Sequence, residues 1–418
     1  MKAPFRWDHY SDQPYQLKDK KYKKAHRQKE WLSIILTFFT ALLILPLAYL
    51  LSFFIPKRKI DTNSFFALGV DNNKELSPPL LQELGIDHIL VRQKLWEMKN
   101  LPKLKEFIST CKVDEITVNI LQDREHIEDL DLLKKDLREI FASLHVARFQ
   151  IGSTINRAKW GFFSVDEYLR FFKVAYNLKQ NEFSNIELLG SGVIDFEYHF
   201  TAHTLFNLCR CKYDGVASLL YVDRRGAPEN KQMGFDFLKK IKLLGMLTAL
   251  SVKTKNKIYI TEANWPISNT APYAPTSEHE CVSQIQYAEF MVRYYCLALA
   301  SCNIDAVCWH QLFAPGYGLI DNRSGINKRG AFTAYQAMVS FLKGCDVVSF
   351  SSKSGHYILT CKKDGRIIQV HWSLTKITID KKEFNAFDIY STEILQSTLQ
   401  VHNTPIYLVK TETDIIMP

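Results

Sequence analysis

Two apolar stretches of the sequence end on carboxylates, side chains that often do acid–base chemistry. Residues 257–264, KIYITEAN, place Glu262 at the end of a strand-like run. Residues 190–199, GSGVIDFEYH, place Asp195 and Glu197 just after a second run. Carboxylates that lie close together can act as general acid and general base. These three residues are the candidate catalytic residues, although Asp195 and Glu197 would also suit the cap of the helix that follows.

The placement of these carboxylates depends on a regular alternation of strand-like and helix-like patterns. Eight short apolar runs alternate with amphipathic stretches such as VDEYLRFFKVAYNLKQ (165–180). Strands with little internal polarity are typical of parallel sheets that are covered on both faces. An eightfold alternation favours a (β/α)8 TIM barrel of the α/β class over a doubly wound sheet. The expected strands are FFALGVD (65–71), DHILVR (87–92), DEITVNI (114–120), ARFQIG (147–152), IELLGS (186–191), GVASLLYVD (215–223), KIYITEAN (257–264) and DAVCWHQL (305–312).

The pattern changes after the last helix expected in the barrel, RGAFTAYQAMVSFLKG (329–344). HYILTCKKDGRIIQVHW (356–372) predicts two strands around a KKDG turn. We therefore expect a barrel over residues 60–344 and a small β domain over residues 345–418.

Polar and aromatic residues recur just past the ends of the expected strands. In (β/α)8 barrels the active site lies at the C-terminal ends of the strands, so these residues should form one ring. The candidate substrate-binding residues in this ring are Asp71, Arg92, Asn156, Arg157, Lys159, Trp160, Asp223, Arg224, Arg225, Trp265, Trp309 and His310. Arginine forks recognise carboxylate and phosphate groups, so the basic members favour an anionic sugar. As alternatives, some of these cations only pair with neighbouring aspartates, and the tryptophans complete the core rather than stack on a sugar.

Three stretches near the end of the barrel resemble the clan A glycoside hydrolases, which are retaining enzymes on this fold. They are ITEANWP (260–266), CWHQLFAPGYGLID (308–321) and RGAFTAYQAM (329–338). The resemblance covers residues 60–418. It implies that Glu262, at the end of the seventh strand, is the nucleophile.

One position departs from that family pattern. Clan members usually end the fourth strand with an Asn-Glu pair whose glutamate is the acid/base, whereas QIGSTINRAKWG (150–161) places Ser153 and Thr154 there. Neither hydroxyl protonates a leaving group at neutral pH, and losing such a group costs about 10²–10⁴ in rate. Either Asp195 or Glu197 supplies the proton, or the barrel no longer hydrolyses by that mechanism.

Residues 32–55, LSIILTFFTALLILPLAYLLSFFI, form a stretch without charge. As a helix this stretch is about 36 Å long, against a bilayer core of about 30 Å. Nine basic against four acidic residues precede it, which predicts a cytoplasmic tail over residues 1–31 and a globular domain in the periplasm of a bacterial inner membrane. No small-residue cleavage site follows, so we expect an uncleaved single-pass anchor.

The remaining composition argues against several classes of function. The net charge of +9 comes mostly from the residues that flank the apolar stretch, so we expect no nucleic-acid partner. No motif or spacing predicts a metal site or a cofactor. The nine cysteines match neither a zinc site nor a CxxC redox pair, and their odd number argues mildly against an oxidising compartment.

Anchor, barrel and basic ring together predict a membrane-anchored glycoside hydrolase-like protein that acts on an acidic sugar of the cell envelope. One such activity removes 3-deoxy-manno-octulosonic acid (Kdo) from lipopolysaccharide through a membrane-bound, two-protein system, and the chain resembles a component of it. The alternative is a catalytically impaired barrel that binds glycan or scaffolds a catalytic partner subunit at the membrane.

Overall fold

The computed structural model describes residues 6–223 and 226–411. Eight parallel strands close into a barrel, in which the last strand pairs with both the seventh and the first. The predicted (β/α)8 fold is therefore confirmed. The strands are β1 (Phe66–Val70), β2 (His88–Lys94), β3 (Glu115–Leu121), β4 (Arg148–Ile151), β5 (Glu187–Ile194), β6 (Gly215–Leu219), β7 (Ile258–Ala263) and β8 (Ala306–Trp309).

Helices surround the barrel, and polar side chains cap several of them. The Ser164 side chain accepts a hydrogen bond from the backbone N–H of Glu167, and Ser283 forms a capping box with Gln286. The helices are α1 (Lys20–Lys29), α2 (Trp31–Ser52), α3 (Ser77–Leu84), α4 (Leu101–Thr110), α5 (Arg124–Glu128), α6 (Leu130–Ser143), α7 (Val165–Asn181), α8 (Tyr198–Leu205), α9 (Phe237–Leu250), α10 (Gln284–Ala300) and α11 (Gly330–Leu342).

The lower part of the barrel interior is packed with side chains. Leu189, Ala217, Tyr259 and Ala306 form a buried cluster there. This layer fills the lower part of the barrel, and the active site of such barrels lies at the C-terminal ends of the strands.

An antiparallel β domain follows the barrel, as predicted. Its six-stranded sheet has the order β9-β10-β11-β16-β13-β14, and β12 pairs with β15. Glu229 joins the domain to the barrel, because its carboxylate binds the Arg293 guanidinium of α10 and accepts a hydrogen bond from Trp372 Nε1 of β11 at 2.7 Å. The strands are β9 (Asp346–Lys353), β10 (His356–Lys363), β11 (Arg366–Ser373), β12 (Ile377–Asp380), β13 (Asn385–Phe387), β14 (Glu393–Ile394), β15 (Thr398–Val401) and β16 (Ile406–Thr411).

Helix α2 coincides with the apolar stretch and lies along the outside of the barrel against α8 and α9. Small residues such as Ser33, Thr37 and Ala48 form its buried face, and Thr37 Oγ1 lies 2.8 Å from His203 Nδ1 of α8. Large apolar residues such as Leu42, 71% exposed, face outward. By length and composition α2 is long and apolar enough to cross a membrane, and its role as an anchor stays a prediction.

Residues 6–15, which precede α1 and α2, contact the barrel in the structure. Residues 6–15 form a hairpin, in which Trp7–Asp8 pairs with Gln13–Pro14. We call this segment the N-terminal hairpin. It lies in the mouth of the barrel, where the Asp12 carboxylate binds Arg92 of β2. Charge counts around an apolar stretch carry no information about such a tertiary contact, and the cytoplasmic tail stays a prediction.

Candidate active site

Glu262 lies at the C-terminal end of β7, inside the mouth of the barrel, with 14% of its side chain exposed. Its carboxylate accepts hydrogen bonds from Arg92 Nη2 and from the Tyr221 hydroxyl, each at 2.6 Å. Arg92 belongs to β2 and Tyr221 follows β6, so the ends of three strands bring these groups together. Both carboxylate oxygens are thereby oriented, as expected of a reacting group that must keep one position.

A cavity of about 490 Å³ opens at Glu262, within the size range of small-molecule sites. Half of the twelve residues of the predicted ring meet there, together with Glu262. The predicted residues that line this cavity are Arg92, Asn156, Arg157, Lys159, Trp160, Glu262 and His310. Asp71 lines a neighbouring cavity of about 320 Å³ instead, and Ser77 Oγ donates a hydrogen bond to its carboxylate at 3.1 Å.

Asp195 and Glu197 are absent from the described lining of the main cavity. Arg157 donates to Asp195 at 2.6 Å and to Glu197 at 2.5 Å, and Asn156 Nδ2 donates to Glu197 at 2.7 Å. These bonds hold the loop after β5 against the loop after β4. The structure therefore gives Asp195 and Glu197 a structural role and no support as the general acid. The predicted cap is not formed either, because the Glu197 side chain makes no capping hydrogen bond to α8.

The position of the missing acid/base carries the hydroxyl side chains seen in the sequence. Thr154 lines the cavity and has a left-handed backbone with φ of 53°. Ser153 is fully buried and is fixed through its backbone, which both donates to and accepts from the amide of Gln122. Among the described residues that line the cavity, the carboxylates are those of Glu262 and Asp12.

The predicted tryptophans divide between the barrel wall and the mouth. Trp265 and Trp309 are 1% and 0% exposed, and they stack on each other with ring centroids 5.8 Å apart. These two belong to the core and offer no face to a sugar, which corrects their assignment as substrate-binding residues. Trp160 does line the cavity, where it packs edge-on against Trp7 of the N-terminal hairpin.

The loop after β6 accounts for the rest of the predicted ring. Asp223 is absent from the described lining of the cavity, and its backbone carbonyl accepts a hydrogen bond from the Gly226 N–H. Arg224 and Arg225 lie outside the described residues.

Burial lowers the pKa of two groups in the mouth. Burial, helped by the nearby Arg92 guanidinium, lowers the pKa of His310 to about 4, so its imidazole is neutral at pH 7. Burial also lowers the pKa of Lys159, although the charge of Glu262 opposes this effect. Lys159 Nζ donates to Gln13 Oε1 of the N-terminal hairpin at 2.7 Å.

Sequence reasoning missed three residues of this site. Tyr221 stands in the LYVD end of the sixth expected strand, where its hydroxyl was the available signal. Lys94 ends β2, two residues beyond Arg92, and lies on the same face of the strand. No sequence pattern predicted the contact of Asp12 with Arg92, because the two residues are 80 positions apart along the chain. Within residues 6–223 and 226–411, no group of three or more His, Cys, Asp or Glu side chains could hold a metal ion.

Comparisons with known proteins agree on the architecture. No protein-family model and no curated protein matches the chain. Among solved structures, a family 39 glycoside hydrolase from Bacteroides cellulosilyticus WH2 is similar with a TM-score of 0.64 and 14% identity, over 85% of this chain and 82% of that one. The fold is that of the clan A glycoside hydrolases.

Two further structures extend this likeness across the clan. A family 30 endoxylanase from Clostridium papyrosolvens C71 has a TM-score of 0.55 and 11% identity, over 85% of this chain and 97% of that one. A family 51 arabinofuranosidase from Xanthomonas axonopodis pv. citri gives the same score, identity and coverage. These likenesses establish the shared barrel with its flanking β domain, while the chemistry has to be argued from the site.

Proposed function

We propose that this chain is a glycoside hydrolase-like protein that takes an acidic sugar into the mouth of its barrel, with Glu262 as the nucleophile. The observation that carries the proposal concerns Arg92. Its Nη2 donates to Glu262, and its Nη1 lies 2.9 Å from the carboxylate of Asp12, which Lys94 Nζ also approaches to 3.2 Å. The mouth thus holds a carboxylate beside Glu262, and a sugar carboxylate would offer the same charge and hydrogen-bonding geometry.

In this reaction Glu262 attacks the anomeric carbon as the glycosidic C–O bond breaks, through a transition state with oxocarbenium character. The leaving oxygen takes a proton from an acid, and water then hydrolyses the bond between the sugar and Glu262. Arg92 and Tyr221 keep the carboxylate in place. Thr154 stands where a proton donor is expected, and the described lining of the cavity offers no free carboxylic acid in its stead. The lack of a proton donor in the described lining supports a second protein subunit that would supply the acid.

The proposed substrate is an acidic sugar of the cell envelope, and Kdo in lipopolysaccharide is the specific candidate. The support is the paired Arg92 and Lys94 in the mouth together with α2, which would anchor the barrel on the periplasmic side of a bacterial inner membrane. This membrane would place the barrel next to newly made lipopolysaccharide.

A second candidate function is a barrel that binds glycan, or scaffolds a catalytic partner, without catalysis of its own. The hydroxyl side chains at the acid/base position favour it, because losing the general acid costs about 10²–10⁴ in rate.

The variant Glu262→Gln separates the two functions. We would measure Kdo release from isolated lipopolysaccharide, with and without membranes that contain candidate partner proteins, and the affinity for free Kdo. The matched control is Glu106→Gln, which alters an exposed glutamate that pairs with Lys74 on the barrel surface.

The catalytic function predicts that Glu262→Gln lowers release by at least about 10²-fold while Glu106→Gln leaves it unchanged. Release that is equal in the wild type and Glu262→Gln would refute catalysis by this chain. Binding of Kdo without release under every condition would favour the second candidate.

A further inference from the structure

The N-terminal hairpin occupies the barrel mouth much as a ligand would. Its Asp12 carboxylate binds Arg92 and Lys94, and Trp7 Nε1 donates to the same carboxylate at 3.0 Å. Asp12 and Arg92 both line the 490 Å³ cavity and the neighbouring 320 Å³ cavity. The hairpin therefore divides one mouth into two smaller spaces.

The aromatic part of the hairpin fills a place suited to a sugar ring. Trp7 is 8% exposed, and its ring centroid lies 5.0 Å from that of Trp96 and 5.7 Å from that of Trp160. Lys94 Nζ lies 4.4 Å from the centroid of the Trp7 ring. The hairpin thus places a ring and a carboxylate side by side, the two features that an acidic sugar also carries.

Asp12 does not replace the missing proton donor. Burial raises the pKa of this carboxyl, but the charges of Arg92 and Lys94 outweigh burial and hold the pKa well below its usual range. Asp12 is therefore ionised at neutral pH. It acts as an anion in the mouth and not as an acid.

Besides the bond from Lys159 to Gln13, the other contacts of the hairpin with the mouth are an edge-on ring contact between Tyr10 and Tyr273 and two single hydrogen bonds. Gln13 Nε2 donates to the Pro275 carbonyl at 3.0 Å, and the Tyr317 hydroxyl lies 3.4 Å from the Ser11 carbonyl. Neither bond crosses into the barrel core. The hairpin can therefore leave the mouth without unfolding the barrel.

Helix α2 links the hairpin to the far end of the barrel. At its start, Ser33 Oγ accepts a hydrogen bond from the Asp166 N–H, on the mouth side where α7 begins. Beyond its end, Arg58 binds Asp305, the residue before β8 at the bottom of the barrel. Twenty-two residues of helix are about 33 Å long and match a bilayer core of about 30 Å. If α2 crossed a bilayer, the hairpin and the barrel would stand on opposite sides of it.

We infer that the N-terminal hairpin is an intramolecular competitor for the acidic-sugar site, and that insertion of α2 into a bilayer withdraws it from the mouth. This inference rests on the proposed function for the identity of the ligand. The docked hairpin and the inserted helix exclude each other. The site is closed in the protein outside a membrane and open in the membrane.

The test uses the full chain in a mild detergent and in vesicles of phosphatidylethanolamine and phosphatidylglycerol. Two variants release the hairpin by different routes: Asp12→Asn removes its charge, and Trp7→Ala removes its ring. The matched control is Asp19→Asn, the same chemical change at the N-cap of α1, where the amide can still accept the capping hydrogen bond. Deuterium exchange of the amides of residues 6–15 reports docking, and titration with free Kdo reports the site.

In detergent, both variants should raise exchange of residues 6–15 at least tenfold and bind Kdo at least tenfold more tightly than the wild type, with Asp19→Asn unchanged. In vesicles, the wild type should match the variants in both measurements. Wild-type protein that keeps residues 6–15 protected after insertion into vesicles would overturn the membrane-driven release. Variants that free the hairpin but bind Kdo equally or more weakly would overturn the competition.

Failure of the proposed function gives a different result. In that case Kdo binds to no form of the protein, and the exchange of residues 6–15 alone decides the release of the hairpin. Faster exchange in Asp12→Asn and in vesicles would support it, and unchanged exchange would refute it.

Discussion

Replacing Glu229 by glutamine should destabilise the whole protein, because Glu229 joins the barrel to the β domain. Its side chain is 3% exposed and that of its partner Arg293 is 1% exposed. Arg293 Nε donates to Glu229 Oε1 at 2.9 Å, and Trp372 Nε1 donates to the same oxygen at 2.7 Å. The variant Glu229→Gln keeps the volume but leaves the guanidinium charge of Arg293 without its counter-charge.

The size of the effect follows from this burial. Removing one partner of a buried ion pair costs about 3–5 kcal/mol, whereas an exposed pair contributes about 0–1 kcal/mol. We therefore expect the free energy of unfolding to fall by about 3–5 kcal/mol in Glu229→Gln, and by less than about 1 kcal/mol in Glu106→Gln, which loses an exposed pair.

The assay is urea denaturation of the full chain in detergent, followed by tryptophan fluorescence. Because Trp372 contacts Glu229 directly, its emission should also change in the folded variant. A loss below about 1 kcal/mol in Glu229→Gln would show that Arg293 finds another partner or water. That outcome would refute the view that this pair joins the two parts.

Three further outcomes follow from the site. Tyr221→Phe removes a hydrogen bond to the charged Glu262, worth about 1.5–3 kcal/mol, so kcat/KM for Kdo release should fall about 10- to 150-fold while the melting temperature changes little; an unchanged kcat/KM would contradict this role. Asp195→Asn should keep Kdo release within about threefold of the wild type, because its carboxylate binds Arg157 outside the cavity; a loss of about 10²-fold would restore Asp195 as the general acid. The folded protein holds His310 neutral, with its pKa lowered from 6.5 to about 4. As pH falls from 6.5 towards 4, the unfolded chain binds a proton at His310 and the folded protein does not, so the protein is destabilised over this range. Between pH 7 and pH 4.5, urea denaturation should show that the free energy of unfolding falls by about 2–3 kcal/mol because of this histidine. The variant His310→Gln should lack this part of the pH dependence. An equal pH dependence in wild type and variant would refute the role of His310.

The barrel and the place of Glu262 in its mouth could be predicted from the sequence, because both follow from local patterns. Apolar runs of strand length in eightfold alternation leave few other folds. Residues at the end of a barrel strand face either the mouth or the wall. Glu262 and Arg92 could therefore be predicted to lie at the mouth. Which of these two sides each residue faces was harder to predict. Trp265 and Trp309 stand at strand ends and yet point into the wall.

Residues beyond the strand ends could not be placed from sequence. The path of the loop after β5 depends on backbone angles such as the φ of 64° at Asp195, and no sequence pattern fixes such an angle. The place of Asp12 could not be predicted at all, because Arg92 links it to Glu262 across long separations in the sequence. Tertiary contacts of this kind leave no periodic signal.

The position of the N-terminal hairpin bears on how this protein is prepared for experiments. Apolar helices near an N-terminus are commonly removed, together with everything before them, to obtain a soluble protein. Here that truncation would also delete Trp7 and Asp12, and it would leave Arg92 and Lys94 without one of their carboxylate partners. A shortened protein would therefore present a different mouth from the full chain, with more room and without Asp12, Lys23 and Arg27, which line the cavity. Ligand affinities measured on the two forms should not be compared as though only a tether had been removed.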